Sequence, residues 1–169
     1  MIYFTSDTHF GHANILDHMP GRLAWGSTID EHDEFLIDEW NKQVGSKDTV
    51  YHLGDFSFSR KKAIEVTQRL NGHICLIRGN HDVQNKVDKI DRWMEVADVK
   101  YLKTNGIKLF LSHYAHRTWR SSNHGSYHLY GHSHGQLPPL GKSCDVGVDV
   151  FTHPVDFDII KSFIDGEFK

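Results

Sequence analysis

The stretch HICLIRGNHD, residues 73–82, joins an apolar run to a group of residue types that bind metals. Its first half, His73–Ile77, is short and rich in aliphatic side chains, which predicts a buried strand. The block Gly79-Asn80-His81-Asp82 follows almost directly. In open α/β sheets ligands bind beyond the carboxyl ends of the strands, so this stretch predicts a strand that leads into a ligand site.

The same arrangement recurs at four more predicted strand ends. With the first, the five blocks are Ser6-Asp7-Thr8-His9, Gly54-Asp55, Gly79-Asn80-His81-Asp82, Ser112-His113 and Gly131-His132-Ser133-His134. In an extended backbone residues i and i+2 point the same way, so Asp7 and His9 are predicted to face one site. The same spacing predicts that His132 and His134 face it too. Neighbouring glycines allow the backbone to turn sharply beside these side chains.

The elements between the blocks predict the architecture. In the first half, strands at 2–5, 49–53 and 73–77 alternate with helices at about 30–44 and 59–70, which favours a parallel sheet with crossover helices. The second half is mostly strands: a hairpin from 96–102 through an Asn105-Gly106 turn to 108–112, then strands at 127–130 and 143–150, before a helix at 156–165. The prediction is a two-sheet α/β sandwich flanked by helices, with residues 1–169 as one domain.

The composition is that of an ordinary globular protein. Hydrophobic residues make up 38% and charged residues 24%, and the formal net charge is −3. The absence of a signal peptide and of a long apolar stretch predicts a soluble, cytoplasmic protein with no membrane partner. Because no broad basic face is evident, tight non-specific binding to duplex DNA is not expected.

The ligand types restrict the metal. The chain has 14 histidines and two cysteines. With no CxxC pair, a structural zinc site built on thiolates is not expected. A mixture of carboxylates, imidazoles and an asparagine oxygen suits manganese, iron, nickel or zinc, with manganese favoured, whereas Mg²⁺ alone would want more oxygen ligands.

In their order and spacing the five blocks resemble those of the calcineurin-like metallophosphoesterases: DxH, GD, GNH[DE], H and GHxH. The resemblance extends over residues 7–134, and its most specific part is GNHD followed downstream by GHxH. Residues 9–12, the 113–128 loop and the stretch from Asp145 to Asp149 also look like a small, uncapped subgroup found in bacteria and phages.

This resemblance implies a two-metal phosphoesterase. One ion would have the ligands Asp7, His9, Asp55 and His134, and the second would have the ligands Asp55, Asn80, His113 and His132. A hydroxide bridging the two ions would attack phosphorus in line. His81 would protonate the leaving oxygen rather than bind metal, and Asp82 would hold its imidazole in the right tautomer.

The expected substrate is a phosphate diester, such as a nucleotide or the end of a nucleic acid, with no obligate protein partner. A phosphomonoesterase remains an alternative within the class. A metal-free scaffold that binds a protein partner is an alternative outside it.

Further side chains are candidates for substrate contacts. His12 and Arg117 could bind substrate phosphate, although His12 could equally cap the segment that follows it. The 113–128 loop, with its aromatic and cationic residues, could stack a nucleobase or simply pack over the sheet. Asp145 or Asp149 could support ligand histidines. The histidines away from the blocks are interpreted as surface residues: His18, His32, His73 and His153.

Overall fold

A computed structural model of the protein describes residues 1–104 and 106–166. Its strands are β1 (Ile2–Thr5), β2 (Thr49–His52), β3 (His73–Ile77), β4 (Glu95–Ala97), β5 (Val99–Thr104), β6 (Ile107–Ser112), β7 (Tyr127–Tyr130), β8 (Ser143–Asp145) and β9 (Val155–Asp156). Its α-helices are α1 (Ile15–His18), α2 (Ile29–Gln43), α3 (Arg60–Thr67), α4 (Asn80–Gln84) and α5 (Phe157–Ile164), and 3-10 turns cover Pro20–Ala24, Val87–Lys89 and Ser122–His124.

The first sheet has the strand order β4-β3-β2-β1-β9. Strands β1 to β4 pair in parallel, and β9 joins β1 antiparallel. Helix α2 begins where predicted, because the Thr28 side chain accepts from the backbone of Glu31 while the Glu31 carboxylate accepts from the Thr28 backbone. Parallel strands place their carboxyl ends at one edge, so the first three sequence blocks meet there.

The second sheet has the order β5-β6-β7-β8, in which β5 and β6 are antiparallel and the other pairs are parallel. Two strand predictions were wrong here. The strand predicted at 143–150 is β8 alone, which ends at Asp145. The predicted strand at 96–102 is two strands, β4 in the first sheet and β5 in the second, and the chain changes sheets at Asp98. The predicted turn falls partly on Asn105, which lies outside the described residues, but Thr104 pairs with Ile107 across it.

The core forms two layers, one on each face of the first sheet. Alternate strand residues divide between them, so Val50 packs with α2 and α3, whereas Tyr51 faces the second sheet. The layer between the sheets also contains α5 residues such as Phe157 and Ile160. This arrangement confirms the predicted two-sheet α/β sandwich.

The outer face of the second sheet carries a cluster of aromatic and histidine side chains. Phe110 and His128 are buried there, and their rings lie 5.1 Å apart. The loop that follows β6 lies over them, since Trp119 packs on His128 at 5.3 Å. Within residues 1–104 and 106–166, no helix combines the length and the apolar character that a membrane span requires.

Candidate metal centre

The side chains of the five sequence blocks converge at the carboxyl edge of the strands. Three groups of aspartate and histidine have ligand atoms that all lie within 4.8 Å of one another. The groups are Asp7 with His9 and His134, Asp55 with His113 and His132, and His9 with Asp55 and His81. The structure therefore brings together the six charged or imidazole ligands expected from sequence and His81.

Asp55 lies at the centre of this cluster. Its Oδ2 is 3.5 Å from His113 Nε2 on one side and 3.8 Å from His9 Nε2 on the other. His81 Nε2 approaches the same oxygen at 4.0 Å, and the His81 backbone N–H donates to Asp55 Oδ1 at 3.0 Å. One carboxylate thus faces the imidazoles of three different sequence blocks.

The backbone at the site has an uncommon conformation. Five of the expected ligands have a positive φ, in the left-handed region that non-glycine residues rarely adopt: Asp7 (59°), His9 (51°), Asp55 (56°), His132 (66°) and His134 (49°). The prediction that an extended backbone directs Asp7 with His9, and His132 with His134, to one site was therefore wrong in its reason. The paired side chains share a site because sharp left-handed turns direct them to it, and not because the strand continues extended.

Buried carboxylates hold these turns in place. Asp145 Oδ2 accepts from the Ser133 hydroxyl and the Gly135 backbone N–H, both at 2.9 Å, which fixes the turn that carries His132 and His134. Asp7 Oδ2 accepts from the backbone N–H of His132 at 2.8 Å, which joins the first block to the last.

Asp82 has a different partner from the one predicted. Its carboxylate accepts from the backbone N–H groups of Asp55 and Gly79 at 2.8 Å and of Phe56 at 3.0 Å. The carboxylate therefore positions the central Asp55 and does not orient the His81 imidazole. The prediction paired Asp82 with His81 because they are adjacent in the sequence, but adjacent residues of a helix such as α4 point to different sides.

Arg22 is a residue of the site that the sequence did not suggest. Its side chain is only 1% exposed. The guanidinium donates from Nε and a terminal nitrogen to Asp149 at 2.9 and 2.6 Å, and it donates to the Asp7 carbonyl at 2.8 Å. Asp149 in turn accepts from His134 Nδ1 at 2.7 Å, as predicted for a supporting carboxylate. The only signal in the sequence was a single arginine among the small and apolar residues of the stretch 19–26.

Two of the histidines are oriented with one ring nitrogen towards the centre. His113 Nδ1 donates to the Leu53 carbonyl at 2.8 Å, which leaves Nε2 facing Asp55 and 3.3 Å from Asn80 Oδ1. His134 donates from Nδ1 to Asp149 and leaves Nε2 free in the same way. Metal-binding histidines are commonly fixed by a hydrogen bond from the second nitrogen.

Burial and neighbouring charges shift the pKa values of the cluster in opposite directions. Burial raises the pKa of Asp7 to about 6 and holds the pKa of His9 well below its usual range. His113 shows the opposite balance, because burial opposes its charged form but the carboxylates of Asp55 and Asp7 raise its pKa to about 9. The same histidine contributes to holding the pKa of Asp55 below its usual range despite burial.

Unpartnered polar atoms test whether these residues fit a metal. Among the described residues, Asp7 Oδ1, both ring nitrogens of His9 and His81 Nδ1 are buried without a hydrogen-bond partner. Buried polar groups are normally satisfied, and an isolated buried carboxylate oxygen is costly. A cation with oxygen and nitrogen ligands would satisfy Asp7 Oδ1 and one of the two His9 nitrogens, so the residues present fit a metal centre.

Of the two predicted substrate residues, His12 lies beside this centre. His12 stacks on Phe58 at 3.8 Å and lies 5.5 Å from the His9 ring, at the rim of the site. Arg117 is exposed on the loop after β6, and its contact with phosphate stays a prediction. Tyr114, which sequence analysis did not single out, is closer: its ring lies 4.6 Å from that of His132.

Comparison with known proteins is consistent with this geometry. The model of the calcineurin-like phosphoesterase superfamily domain matches residues 1–138. An uncharacterised protein of Methanocaldococcus jannaschii is 34% identical over 175 residues, covering 97% of this chain and 91% of its own. The gene 66 protein of Mycobacterium phage L5 is 28% identical over 165 residues, covering 80% and 78%. The crystal structure of a protein of unknown function from Aquifex aeolicus is 26% identical, with a TM-score of 0.75 and coverage of 97% of this chain and 99% of that one.

Proposed function

The chain belongs to the calcineurin-like phosphoesterase superfamily, and we propose that it is a phosphodiesterase that uses two divalent metal ions. The observation that carries the proposal is the group of unpartnered buried atoms around Asp55, whose chemistry is that of metal ligands. Membership of the superfamily supports hydrolysis of phosphoester bonds as the reaction class. The two-ion centre and the diester preference go beyond that membership.

The ligand sets follow two of the three geometric groups. Asp7, His9 and His134 would hold one ion together with Asp55. The other ion would have the ligands Asp55, Asn80, His113 and His132. Two such ions, when bound, supply Lewis acidity at the phosphoryl oxygens and lower the pKa of an attacking water. Mixed oxygen and nitrogen ligands without thiolate favour manganese, with iron, nickel or zinc as alternatives.

His81 is the proposed proton donor to the leaving oxygen. Its side chain is 26% exposed, so it lies between the buried ligands and solvent. Its ring is 5.4 Å from that of His9, which places it within reach of a phosphate bound at the centre. The buried Nδ1 has no partner among the described residues, and Nε2 is the nitrogen directed to Asp55.

The preference for a diester rests on the charge that the site offers. Arg22 is the arginine in contact with the first block, and Asp149 binds its guanidinium in the protein interior. It is therefore turned away from substrate and adds no net positive charge for a dianionic monoester. A diester carries one negative charge and needs less compensation.

We also propose that residues 1–169 form one domain. The family match ends at residue 138, but β8 and β9 lie beyond it and complete the second and the first sheet. Asp145 and Asp149, which support the candidate ligands, belong to the same later segment.

The first experiment measures metal content and hydrolysis together. Chelator-treated protein is reloaded with manganese and assayed with a bis-aryl phosphate diester and an aryl monoester. We expect about two ions per chain and a higher kcat/KM for the diester. Asp55→Ala should lose both metal and activity, whereas Asp98→Ala, which removes an exposed carboxylate, should keep both. Failure to bind metal would favour the scaffold alternative, and faster monoester hydrolysis would favour the phosphomonoesterase.

A second variant tests the role of His81. His81→Ala should keep the metal content and lower kcat, and the loss should be larger for diesters with poor leaving groups, because these depend most on protonation. If the variant binds only one ion or none, His81 is a ligand and not the acid.

A further inference from the structure

The outer face of the second sheet carries a row of side chains that begins beside the candidate centre; Phe110 and Ser112 in this row are buried, and the other four residues are exposed. Residues Val99, Tyr101 and Lys103 alternate along β5 on one face. Their cross-strand partners on β6 are Ser112, Phe110 and Lys108. We call these six residues the β5–β6 track. It begins next to His113, which follows Ser112, and ends roughly 14 Å away at the lysines, at about 3.4 Å per residue.

Three surface depressions connect the centre to the far end of the track. The first, of about 320 Å³, is lined by Asn80, His113 and Tyr114 of the site and also by Val99 and His116. The second, of about 530 Å³, shares Val99 and His116 with the first. The third, of about 210 Å³, shares Tyr101 and Arg120 with the second and reaches Lys103 and Lys108. A flexible ligand can therefore lie continuously from the centre along the track.

Aromatic rings are exposed along this path. Tyr114 and Tyr101 are each 49% exposed. The Arg120 guanidinium lies 5.0 Å from the centre of the Tyr101 ring. The segment that carries Arg120 is fixed to the sheet, because Ser126 donates to the Arg120 carbonyl at 2.7 Å and Trp119 donates to Ser126. Such rings beside a guanidinium form a stacking surface for planar bases.

Positive charges along the path have no nearby counter-charge. Lys103 and Lys108 are directly opposite on adjacent strands, an arrangement of like charges that is unfavourable unless an anion is bound. No described carboxylate lies within 4.0 Å of these lysines or of Arg120. Asp98, the acid that lines the first depression, pairs with Arg78. The track therefore offers cations to an extended anion.

We propose that the β5–β6 track binds one side of a single-stranded oligonucleotide whose scissile phosphodiester lies at the metal centre. The proposal rests on the proposed phosphodiesterase function and names its substrate class. Bases would stack on Tyr114 and Tyr101, and backbone phosphates would contact Arg120, Lys103 and Lys108. Hydrolysis breaks one P–O ester bond; the oxygen of water bonds to phosphorus, and the departing oxygen takes up a proton.

The test compares substrates of different reach on four proteins loaded with manganese. The proteins are the wild type, Tyr101→Ala/Arg120→Gln, Lys103→Gln/Lys108→Gln and the control Lys61→Gln, an exposed lysine on α3 on the other side of the first sheet. The substrates are a bis-aryl phosphate diester, a dinucleotide and a single-stranded oligonucleotide of about ten nucleotides.

The aryl diester is too short to reach the track, so its kcat/KM should stay within about twofold of wild type in all variants. With the oligonucleotide, Tyr101→Ala/Arg120→Gln should lower kcat/KM about 10-fold or more. Lys103→Gln/Lys108→Gln should lower it for the oligonucleotide but not for the dinucleotide. The same lysine variant should also make the salt dependence of kcat/KM shallower.

Two outcomes overturn the proposal while leaving the phosphodiesterase intact: the wild type hydrolyses the aryl diester but not the oligonucleotide, or the track variants act on the oligonucleotide as fast as the wild type does. The second is the result expected if the track binds a protein. If neither substrate is hydrolysed, the proposed function fails. Fluorescence anisotropy with a labelled oligonucleotide, measured in chelator, then shows whether the track binds single-stranded nucleic acid. Weaker binding by both track variants than by Lys61→Gln supports it, and equal binding overturns it.

Discussion

Replacing Arg22 by glutamine tests how far the order of the candidate centre depends on one buried ion pair. The Arg22 guanidinium and the Asp149 carboxylate are 1% and 8% exposed, and they are joined by two hydrogen bonds of 2.9 and 2.6 Å. Arg22 also donates to the carbonyls of Asp7 and Thr8. The pair therefore connects the first sequence block to the segment that supports His134.

The expected cost follows from this burial. Removing one partner of a buried ion pair costs about 3–5 kcal/mol, and without Arg22 the Asp149 carboxylate would have only the His134 imidazole as a side-chain partner among the described residues. Typical domains have a free energy of unfolding of about 5–15 kcal/mol, so Arg22→Gln should remain folded but be much less stable. Arg69 offers a matched control, because it makes the same two-bond contact with Glu34 at 2.6 and 2.5 Å but on the surface. Exposed pairs contribute about 0–1 kcal/mol.

Urea unfolding in the presence of chelator measures both variants without any contribution from metal. Arg22→Gln should lose about 3–5 kcal/mol and Arg69→Gln no more than about 1 kcal/mol. Adding Asp149→Asn to Arg22→Gln should cost less than the sum of the single changes, because the stranded charge is removed as well. Equal losses for Arg22→Gln and Arg69→Gln, or strict additivity in the double variant, would refute the reasoning.

Three further predictions follow from particular contacts. Gly79→Ala should weaken manganese binding measured by calorimetry, because its Cβ would lie 2.1 Å from Asp55 Oδ1, whereas Gly21→Ala, with open space around it, should bind normally. Burial lowers the pKa of His128 from 6.5 to about 4, so between these pH values the unfolded chain binds a proton that the folded chain does not. The free energy of unfolding should therefore fall as the pH drops from 6.5 to 4. In His128→Asn this fall should be smaller by up to about 3 kcal/mol. Manganese at about 100 times its Kd should stabilise chelator-treated protein by about 2.7 kcal/mol for each bound ion, seen as a higher Tm, and a Tm that does not change with the metal would contradict the ligand assignment.

The sequence was sufficient for the parts of the site that come from strand ends. Each block follows a strand whose apolar character is visible, and parallel pairing brings the ends of such strands to one edge. The prediction of His73–Ile77 as a strand and of the residues after it as site residues needed no tertiary information. The superfamily follows from the same blocks, and the match over residues 1–138 confirms it.

Other features depend on contacts that local patterns do not encode. The change of sheets at Asp98 leaves no hydrophobic signature, because β4 and β5 continue the same strand-forming run. His32 was interpreted as a surface residue but is buried, 3.1 Å from the Asp33 carboxylate. Arg22 and Asp149 are 127 positions apart in the chain, so neither identifies the other. These residues acquire their roles only when the loop before α2 folds against the end of the second sheet.

The left-handed residues explain why so many buried carboxylates surround the centre without being ligands. A non-glycine residue in this conformation costs roughly 1–2 kcal/mol, so five of them together store roughly 5–10 kcal/mol. That is comparable to the whole stability of a typical domain, and the conformations persist only if other contacts hold them. Asp82 fixes the backbone at Asp55, Asp145 fixes the turn at His134, and Arg22 fixes the Asp7 carbonyl. These three side chains should therefore tolerate substitution as poorly as the ligands themselves, although none of them would contact metal or substrate.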